Sequence, residues 1–498
     1  MVGQSCGTGA IMKSFSNETR LKNIKRLQGE KFDVIVIGGG ITGAGIARDA
    51  ALRGLKVALI EKGDFASGTS SKSSKLIHGG LRYLETKQFH LVFEALKERK
   101  ILRQTAPHLA EPLPFLVPIY KSHRVGMWKL GAGLWLYDAL SLFSNFKNHV
   151  TFLKRGLLEQ EPLLEMNGLK GGFLYYDCLT NDAHLTIDIA TSSHENGAIL
   201  ANYVEALLFE KEEDRISKVL VRDIFQGDEF YIRAENFINA TGPWSDVTRS
   251  LALKNAKPLL RPTKGIHVVF PRKLLPTKTA FLMFAMDGRV FFLIPWKEYN
   301  ILGTTDTDYA GSYDELYATH EEVEYLIQSL KKYFPHHPIE HKDIVSSYAA
   351  LRPLIAEDEK LTTSVSREHK IIEDVPGLFT IAGGKLTTYR KMAEDIVNLL
   401  TEEKCLTHKT KINSNFPQDL SREARVHYAV EHQMAQTLCD FLMRRTGAFL
   451  TLPDQGLKLA QEIAPLMAKL LNWGPRRTEE ELERYKFEVA LSRRFHKQ

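Results

Sequence analysis

The segment GTSSKSSKLIHGGLRYLE, residues 68–85, concentrates side chains that can donate hydrogen bonds. It contains a run of hydroxyls, two lysines, a histidine, a glycine pair and an arginine. Such a composition makes a poor core element, but it suits a polar or anionic ligand. Because polar loops on a rigid scaffold often have functional roles, this segment is the first candidate for a binding site.

Three glycines lie upstream of this segment at the spacing G-x-G-x-x-G: Gly38, Gly40 and Gly43. In a dinucleotide site the first glycine permits a tight turn and the second lets the backbone approach a pyrophosphate. The third lets a helix pack closely on a strand. Glu61 follows at the spacing where an acid accepts hydrogen bonds from the ribose hydroxyls. The pattern predicts a nucleotide site, and the weaker alternative is a glycine-rich turn without nucleotide.

The glycine motif alone does not separate NAD from FAD, because both cofactors contain an ADP half. Two features favour FAD: the donor-rich segment that directly follows Glu61, and a second glycine pair, Gly383-Gly384, far along the chain. The turn NATGPW, residues 239–244, is a third place suited to close contact with a cofactor. A flavin cofactor is long, so remote parts of the chain must converge on it.

Three cations lie in motifs that suggest an anionic ligand. Arg82 follows His-Gly-Gly; an ordinary surface arginine is the alternative. Arg352 precedes a proline, which keeps it extended, and its alternative is a structural ion pair. Lys385 follows the second glycine pair at a predicted helix start, where the helix dipole disfavours a cation. A lysine there indicates substrate or reduced flavin as a partner, and a solvated lysine is the alternative.

The elements that must position these residues begin with a βαβ unit. An apolar strand at 34–37 leads through the glycines to a small-residue helix at 41–53 and a second strand at 57–60. Residues 89–104 also have helical spacing.

Farther along, short β-branched and aromatic runs such as GIHVVF and RVFFLIPW predict a second, distinct sheet. Beyond about residue 415 the chain becomes helical, and Thr478 with Glu481 fits a capping box.

The motifs GGGITGAGIARDAALRG, SSKSSKLIHGGLRYLE, NATGPW, LRPL and GGKLTTYR together resemble the FAD-dependent glycerol-3-phosphate dehydrogenase family. The resemblance extends over nearly the whole chain from Lys31. It implies an α/β fold: a Rossmann-like FAD-binding domain of the glutathione-reductase type, an inserted antiparallel-sheet substrate domain and a C-terminal α-helical domain. The expected bounds are 1–30 for an N-terminal extension, 31–110, 166–245 and 346–415 for the FAD-binding domain, 111–165 and 246–345 for the substrate domain, and 416–498 for the helical domain.

The resemblance also implies a reaction and its site. The reaction is oxidation of sn-glycerol 3-phosphate to dihydroxyacetone phosphate, by hydride transfer from C2 to flavin N5, with electrons passed to a membrane quinone. The expected catalytic residues are His267, Arg352 and Lys385. The expected substrate-binding residues are Arg82, Tyr83, His267, Arg352, Lys385 and Thr388. The expected FAD-binding residues are Gly38, Gly40, Thr42, Gly43, Glu61, Lys62, Thr69, Ser70, Ser71, Ser74, Lys75, Leu76, His78, Gly79, Val204, Thr241, Gly242, Gly384, Lys385, Leu386 and Thr387.

The reaction needs a general base for the C2 hydroxyl proton, and His267 in KGIHVVF is the candidate. Its unperturbed pKa is in the useful range, although a lone histidine in an apolar strand is more often structural. Arg352 is the rival, as a group that stabilises the alkoxide. In the donor-rich segment, His78 and the Gly79-Gly80 pair are expected to lie against the flavin ring.

Composition limits the partners. The formal charge of +6 favours an anionic small molecule or membrane surface and gives little support for nucleic acid, which we do not expect as a partner. The four cysteines lack metal-ligand spacing, so no metal is expected.

We find no signal peptide or spanning segment, which predicts a cytoplasmic protein with peripheral or monotopic contact to the cytoplasmic membrane. The apolar stretch 126–143 either packs inside the protein or lies on a membrane. The arginine pairs 444–445, 476–477 and 493–494 form either a solvated helical face or a contact with anionic lipid.

Two other functions remain open at this stage. One is a related flavin-dependent D-amino-acid or 2-hydroxy-acid oxidoreductase, which would need a carboxylate site. The other is a flavin-containing binding or assembly protein without turnover. A homodimer is compatible with the sequence.

Overall fold

The structure is a computed structural model that describes residues 14–85, 87–141, 145–356, 368–413 and 420–496; the Arg82 side chain also lies outside this description. Its strands are β1 Lys31–Ile37, β2 Val57–Glu61, β3 Leu76–Ile77, β4 Glu111–Tyr120, β5 Val150–Leu153, β6 Leu169–Leu179, β7 Ile199–Asn202, β8 Val204–Glu212, β9 Arg215–Asp223, β10 Glu229–Asn239, β11 Thr263–Pro271, β12 Ala280–Phe284, β13 Val290–Trp296, β14 Tyr299–Gly303, β15 Thr307–Asp308, β16 Ser346–Arg352, β17 His369–Val375 and β18 Leu378–Gly383. Its α-helices are α1 Asn17–Gly29, α2 Ile41–Leu52, α3 Phe89–Thr105, α4 Met127–Leu140, α5 Lys154–Gln160, α6 Asp182–Glu195, α7 Ser245–Ser250, α8 His320–Lys331, α9 Tyr389–Val397, α10 Arg422–His432, α11 Ala448–Thr451, α12 Leu457–Leu471 and α13 Pro475–Ser492.

The first sheet has the strand order β17-β18-β10-β1-β2-β7, with β9 paired to β10 and β8 paired to β9. The strands from β18 to β7 in this order are parallel. The apolar residues on one face of these strands are covered by α2, which packs against α6 and α9, and those on the other face pack against α1. Because parallel strands end at one edge, the glycine turn after β1, Glu61 at the end of β2 and the turn after β10 meet there. The predicted βαβ unit is confirmed, with its helix one residue shorter.

The second sheet has the order β15-β11-β14-β13-β12-β4-β6-β3, with β16 paired to β11 and β5 paired to β6. Its pairings are antiparallel except that of β12 with β4. The distinct, mainly antiparallel sheet predicted from the sequence is therefore confirmed. Strand β6 belongs to this sheet, although the expected bounds place it in the second part of the FAD-binding domain.

The region after residue 420 is helical, with α12 packed on α10 and α13 and a π-helical turn at Asp440–Arg445. The capping-box prediction is wrong, because α13 begins at Pro475 with Gly474 as its N-cap. The Thr478 hydroxyl instead donates to the Gly474 carbonyl at 3.1 Å. Proline at the first helical position has its φ already set for a helix, and this signal overrides the later one.

Part of the predicted N-terminal extension is a packed element. Helix α1 starts after Ser16, whose side chain accepts from the amide of Thr19. The buried Arg20 side chain pairs with Asp223 at 2.8 Å and so ties the helix to strand β9. Residues 1–13, the rest of the extension, lie outside the described residues.

Candidate cofactor and substrate site

Two adjoining cavities lie where the sheets meet. The larger, of about 780 Å³, is bordered by the carboxyl edge of the first sheet, and the smaller, of about 130 Å³, lies among strands of the second. Residues that line both cavities are Ser74, Leu76, His78, Thr304 and Arg352. The larger cavity is of cofactor size and the smaller suits a compact substrate, so the shared residues lie at a junction between two ligands.

The glycine turn fits a bound pyrophosphate. Gly38 has φ +110°, and a Cβ atom there would lie 2.7 Å from the Ala240 carbonyl oxygen. A Cβ on Gly43 would overlap the Gly38 carbonyl oxygen, which explains the need for glycine where the helix crosses the strand. The amide of Ile41, in the first turn of α2, donates to Ser70 Oγ at 2.9 Å. The turn therefore holds Ser70 at the anion-favouring end of the helix.

Glu61 is fixed at the cavity by two backbone amides. Its Oε2 accepts from the Gly39 amide at 2.6 Å and its Oε1 accepts from the Gly63 amide at 2.8 Å. Burial raises the pKa of Glu61, and the two amide hydrogen bonds oppose that rise. The carboxylate is oriented toward the cavity and keeps lone pairs that could accept from ribose hydroxyls.

Some side chains of the donor-rich segment line the larger cavity, and others pack into the protein. Thr69 donates to the Leu351 carbonyl at 2.7 Å, and Ser74 Oγ is 2.8 Å from His267 Nε2. These two residues line the larger cavity. Lys75 instead forms a buried ion pair with Asp182 at 2.6 Å, since an uncompensated charge there would be costly. The Lys75 side chain therefore has a structural partner, and its predicted cofactor contact stays a prediction.

The glycine pair was predicted to lie against the flavin ring, and the structure gives another reason for each glycine. The Gly79 amide donates to Tyr137 Oη at 3.1 Å and to Asp177 Oδ1 at 3.2 Å. A Cβ at Gly79 would overlap Tyr137 and Leu96, and one at Gly80, where φ is +76°, would overlap the Tyr83 ring. Neighbouring side chains of the protein thus exclude larger residues at both positions.

His267 is buried in the wall of the larger cavity, beside Ser74, and is neutral at physiological pH. Burial is the main cause that lowers its pKa to about 3, and the charges of Arg352 and Lys75 lower it further. Its ring stacks on Tyr348 with centroids 4.9 Å apart. Its Nδ1 atom is buried and has no hydrogen-bond partner among the described residues. A histidine in this state can accept a proton only when a nearby anion raises its pKa.

Arg352 is oriented by acceptors of the turn after β14. Its Nη1 donates to Asp306 Oδ1 at 3.0 Å, while Nη2 donates to Thr304 Oγ1 at 2.8 Å and to the Thr305 carbonyl at 3.0 Å. The ion pair that the sequence left open is present, yet the guanidinium also lines both cavities. A fixed guanidinium is suited to binding an anion at the junction.

Lys385 links the linings of the two cavities. It lines the larger cavity, and its Nζ atom is 3.7 Å from the centroid of the Tyr83 ring, which lines the smaller one. The buried Thr388 lines neither cavity, and its hydroxyl donates to the Lys385 carbonyl at 3.4 Å. The Thr388 hydroxyl therefore supports the turn, and its predicted contact with substrate stays a prediction.

Most of the predicted residues come together. Those that line the larger cavity are Gly38, Gly40, Thr42, Glu61, Lys62, Thr69, Ser70, Ser74, Leu76, His78, Val204, Thr241, Gly242, His267, Arg352, Gly384, Lys385, Leu386 and Thr387. Those that line neither cavity are Gly43, Ser71, Lys75, Gly79 and Thr388. The Arg82 prediction concerns a side chain outside the described part of the chain.

Sequence reasoning missed several lining residues. The smaller cavity is also lined by Asp177, Arg289 and Asp306. Arg444 lines the larger cavity from the helical region, and both alternatives given for the Arg444–Arg445 pair are wrong, because both residues are buried. Burial of an arginine pair needs acidic partners distant in sequence, which no local pattern reveals.

Trp244, in NATGPW, also lines the larger cavity. Its buried Nε1 atom has no hydrogen-bond partner within the described ranges, so it remains a donor for a ligand.

The comparisons with known proteins agree with this geometry. Residues 33–390 match the family model of the FAD-dependent oxidoreductases, and residues 381–478 match the C-terminal domain of alpha-glycerophosphate oxidase. An aerobic glycerol-3-phosphate dehydrogenase of Staphylococcus haemolyticus is 42% identical over 380 residues, which cover 76% of this chain and 68% of that protein. One of Staphylococcus epidermidis is 35% identical and covers 94% of this chain and 95% of its own length.

Solved structures show the same arrangement. The glycerol-3-phosphate dehydrogenase of Bacillus halodurans, complexed with FAD, aligns with a TM-score of 0.79 and 28% identity, covering 97% of this chain and 99% of that one. An FAD-bound L-alpha-glycerophosphate oxidase of Mycoplasma pneumoniae, at 19% identity and a TM-score of 0.63 over 78% of this chain and 100% of its own, shares the fold. FAD is the cofactor of this chain, which belongs to the aerobic glycerol-3-phosphate dehydrogenase family of FAD-dependent oxidoreductases.

Proposed function

We propose that this chain oxidises sn-glycerol 3-phosphate to dihydroxyacetone phosphate and passes the electrons to a membrane quinone. The main supporting observation is the junction of the two cavities, where Ser74, His78 and Arg352 border both spaces. A cofactor in the larger cavity and a three-carbon ester in the smaller one would meet at these residues. Proximity of this kind supplies much of the rate of a two-reactant step.

The larger cavity would hold FAD through the glycine turn, Glu61 and the hydroxyls of the donor-rich segment. Trp244, whose ring lies beside Gly68 and Lys62, would donate its indole N–H to the cofactor. When bound there, FAD would supply the two-electron oxidation as the acceptor of the hydride from C2.

Fixed cations would bind and orient the phosphate of the substrate. Arg352 and Arg289 both line the smaller cavity, and Arg289 Nη1 donates to the Asp306 carbonyl at 2.7 Å. Asp306 thus holds both arginines, one through its carboxylate and one through its backbone. Charge-assisted hydrogen bonds from such groups contribute about 1.5–3 kcal/mol each, and Lys385 adds a third cation nearby. The predicted contact from Arg82 is retained in this proposal.

The C2 hydroxyl proton would leave through Ser74 to His267 Nε2. Ser74 borders both cavities, and its Oγ is 2.8 Å from that nitrogen. With a pKa of about 3, the imidazole needs help to accept a proton near neutral pH. A bound phosphate dianion opposes the charges of Arg352 and Lys75 and so raises the pKa of His267. Arg352, as a group that stabilises the alkoxide, is the alternative route.

Steady-state turnover of purified protein with a soluble quinone tests the substrate. We expect activity with sn-glycerol 3-phosphate, and none with glycerol, D-amino acids or 2-hydroxy acids at matched concentration. Turnover of an amino or hydroxy acid without turnover of the phosphate ester would overturn the proposal.

Membrane contact is proposed for the face formed by helices α3 and α4. Trp128 is 94% exposed and Trp135 is 65% exposed on α4, and Phe93 is 42% exposed on α3, which packs beside it. The exposed side chains of Arg124 and Lys129 border this face. Both contact the Glu85 carboxylate, at 3.1 and 3.6 Å, so together they carry one net positive charge toward anionic headgroups. Every described helix is too short or too polar to cross a bilayer. A monotopic contact at the cytoplasmic side therefore fits better than a span.

The same helix α4 also contacts the wall of the smaller cavity through strand β6. Tyr137 donates to Asp177 Oδ1 at 2.7 Å, and Asp177 lines the smaller cavity. A quinone held in the membrane at this face would therefore be close to the site of oxidation.

Binding of the protein to vesicles that contain anionic lipid tests the assigned face. We expect the wild-type protein to bind, and we expect the double variant Trp128→Ser with Trp135→Ser to lose binding without a change in its turnover of a soluble quinone. Equal binding by the variant would contradict the assigned face. The homodimer stays a prediction.

A further inference from the structure

The C-terminal helical region forms a buried ionic contact with the loop that follows Glu61. Asp64, three residues after Glu61, is 1% exposed. Its Oδ2 accepts from Arg444 Nε at 2.6 Å and from Arg445 Nη1, and its Oδ1 accepts from Arg445 Nη2 at 2.9 Å. Two arginines that are distant in sequence therefore bind one carboxylate.

A second contact joins the same two parts of the chain. Tyr203 Oη donates to Asp440 Oδ1 at 2.6 Å, and the Tyr203 amide donates to the Gly63 carbonyl at 2.9 Å. Asp440 also accepts from Arg444 Nη2 at 2.7 Å. Both routes from the helical region thus end in the short loop at residues 63–64.

This loop determines where Glu61 and the glycine turn lie. The Gly63 amide holds one oxygen of Glu61, and the Gly39 amide holds the other. The Ser67 amide donates to the Asp64 carbonyl, and the Ala66 amide donates to the Gly39 carbonyl, both at 3.0 Å. A shift of Asp64 would therefore move the acid and the turn that would hold the cofactor's ADP half.

The buried charges make the contact of Asp64 with Arg444 and Arg445 costly to break. Burial alone would raise the pKa of Asp64, but Arg445 and Arg444 hold that pKa below its usual value. Removing one partner would leave a buried charge uncompensated, which proteins tolerate poorly. Replacing arginine by lysine keeps the charge but loses the two-pronged geometry of the Arg445–Asp64 pair.

We propose that Arg444 and Arg445 are positioning residues for FAD: through Asp64 they hold the Glu61 loop, so that the C-terminal helical region determines how firmly the cofactor is retained. The inference rests on the proposed placement of FAD in the larger cavity. It gives this region a role in cofactor retention rather than in the chemistry itself.

Release of FAD from purified holoenzyme tests the inference, followed as the rise of flavin fluorescence after dilution. We expect Arg444→Lys and Arg445→Lys to release FAD about tenfold faster or more, as expected for loss of paired charged contacts. Saturating FAD should restore kcat toward the wild-type value, because cofactor retention is impaired and the substrate site is intact. Tyr203→Phe, which removes one hydroxyl, gives a milder variant with a smaller increase if the lysine variants fail to fold.

The matched control is Arg53→Lys. Arg53 forms an equally buried pair with Asp49 at 2.5 Å at the far end of α2, and neither residue lines a cavity. We expect a lower melting temperature in this control but FAD release at the wild-type rate. Wild-type release in the Arg444, Arg445 and Tyr203 variants, or equal acceleration in the control, would overturn the inference. If wild-type protein retains FAD but does not oxidise glycerol 3-phosphate, the proposed substrate fails and the positioning role stands.

Discussion

Replacing Arg352 by methionine should reduce kcat/KM for sn-glycerol 3-phosphate through two separable effects: a lost hydrogen bond and an added charge repulsion. The guanidinium is fixed by Thr304 and by Asp306, so it is preorganised for an anion. Loss of one charge-assisted hydrogen bond costs about 1.5–3 kcal/mol, or roughly 10- to 150-fold in kcat/KM. The change also leaves the Asp306 carboxylate facing the substrate's phosphate. At about 6 Å and an effective dielectric constant of about 20, that repulsion adds about 3 kcal/mol for each negative charge on the phosphate.

The double variant Arg352→Met with Asp306→Asn separates the effect of the lost hydrogen bond from the effect of the repulsion. Removing the Asp306 carboxylate should restore roughly 100-fold or more of the lost kcat/KM, while the missing hydrogen bond keeps the variant below wild type. Initial rates at fixed FAD saturation measure both effects. An Arg352→Met enzyme with wild-type efficiency would refute the assigned phosphate contact. A double variant no better than the single one would show that Asp306 does not face the phosphate.

Three further predictions concern the turn and the proton path. Gly43→Ala forces a methyl group onto the Gly38 carbonyl, so the purified protein should lack the visible absorbance of flavin; a yellow protein would contradict the packing argument. Ser74→Ala should lower kcat by about 10²-fold with little change in KM, as for loss of a proton-transfer group, and unchanged kcat would remove Ser74 from the path. His267→Gln should lessen the acid sensitivity of folding. A native pKa of about 3 against about 6.5 unfolded means that the unfolded chain binds more protons between these values. The contribution of His267 to stability is therefore lost as the pH falls below about 6.5, by about 2 kcal/mol at pH ~5. Other buried histidines, such as His123, whose pKa burial lowers to about 4, lose stability over the same range in both proteins. Urea unfolding at pH ~5 and ~7.5 should therefore show a drop that is about 2 kcal/mol larger in wild type than in His267→Gln, and equal drops would contradict the assigned pKa shift.

Local patterns predicted the parts of the site that depend on local geometry. The glycine turn, Glu61 at the end of its strand and the second glycine pair are each defined within one βαβ or strand–turn–helix unit, and the structure has them at one sheet edge. The N-terminus of α13 shows the limit of such patterns. Two start signals lie three residues apart there, and only the proline and the cap geometry decide between them.

Long-range contacts could not be predicted from the sequence. Arg444 is 380 positions from Asp64, so its role as a buried partner leaves no local trace. The need for glycine at Gly79 was predictable, but its cause was not, because Tyr137 comes from a distant helix. Likewise, the pKa of His267 depends on burial by a sheet whose register the sequence does not give.

An anaerobic titration of the holoenzyme with sn-glycerol 3-phosphate, followed by the visible absorbance of FAD, tests the central claim most directly. The account predicts loss of that absorbance with sn-glycerol 3-phosphate, and a markedly higher half-saturating concentration in Arg352→Met. It also predicts no loss with glycerol. Flavin absorbance that is unchanged by sn-glycerol 3-phosphate, or that glycerol bleaches equally well, would contradict it.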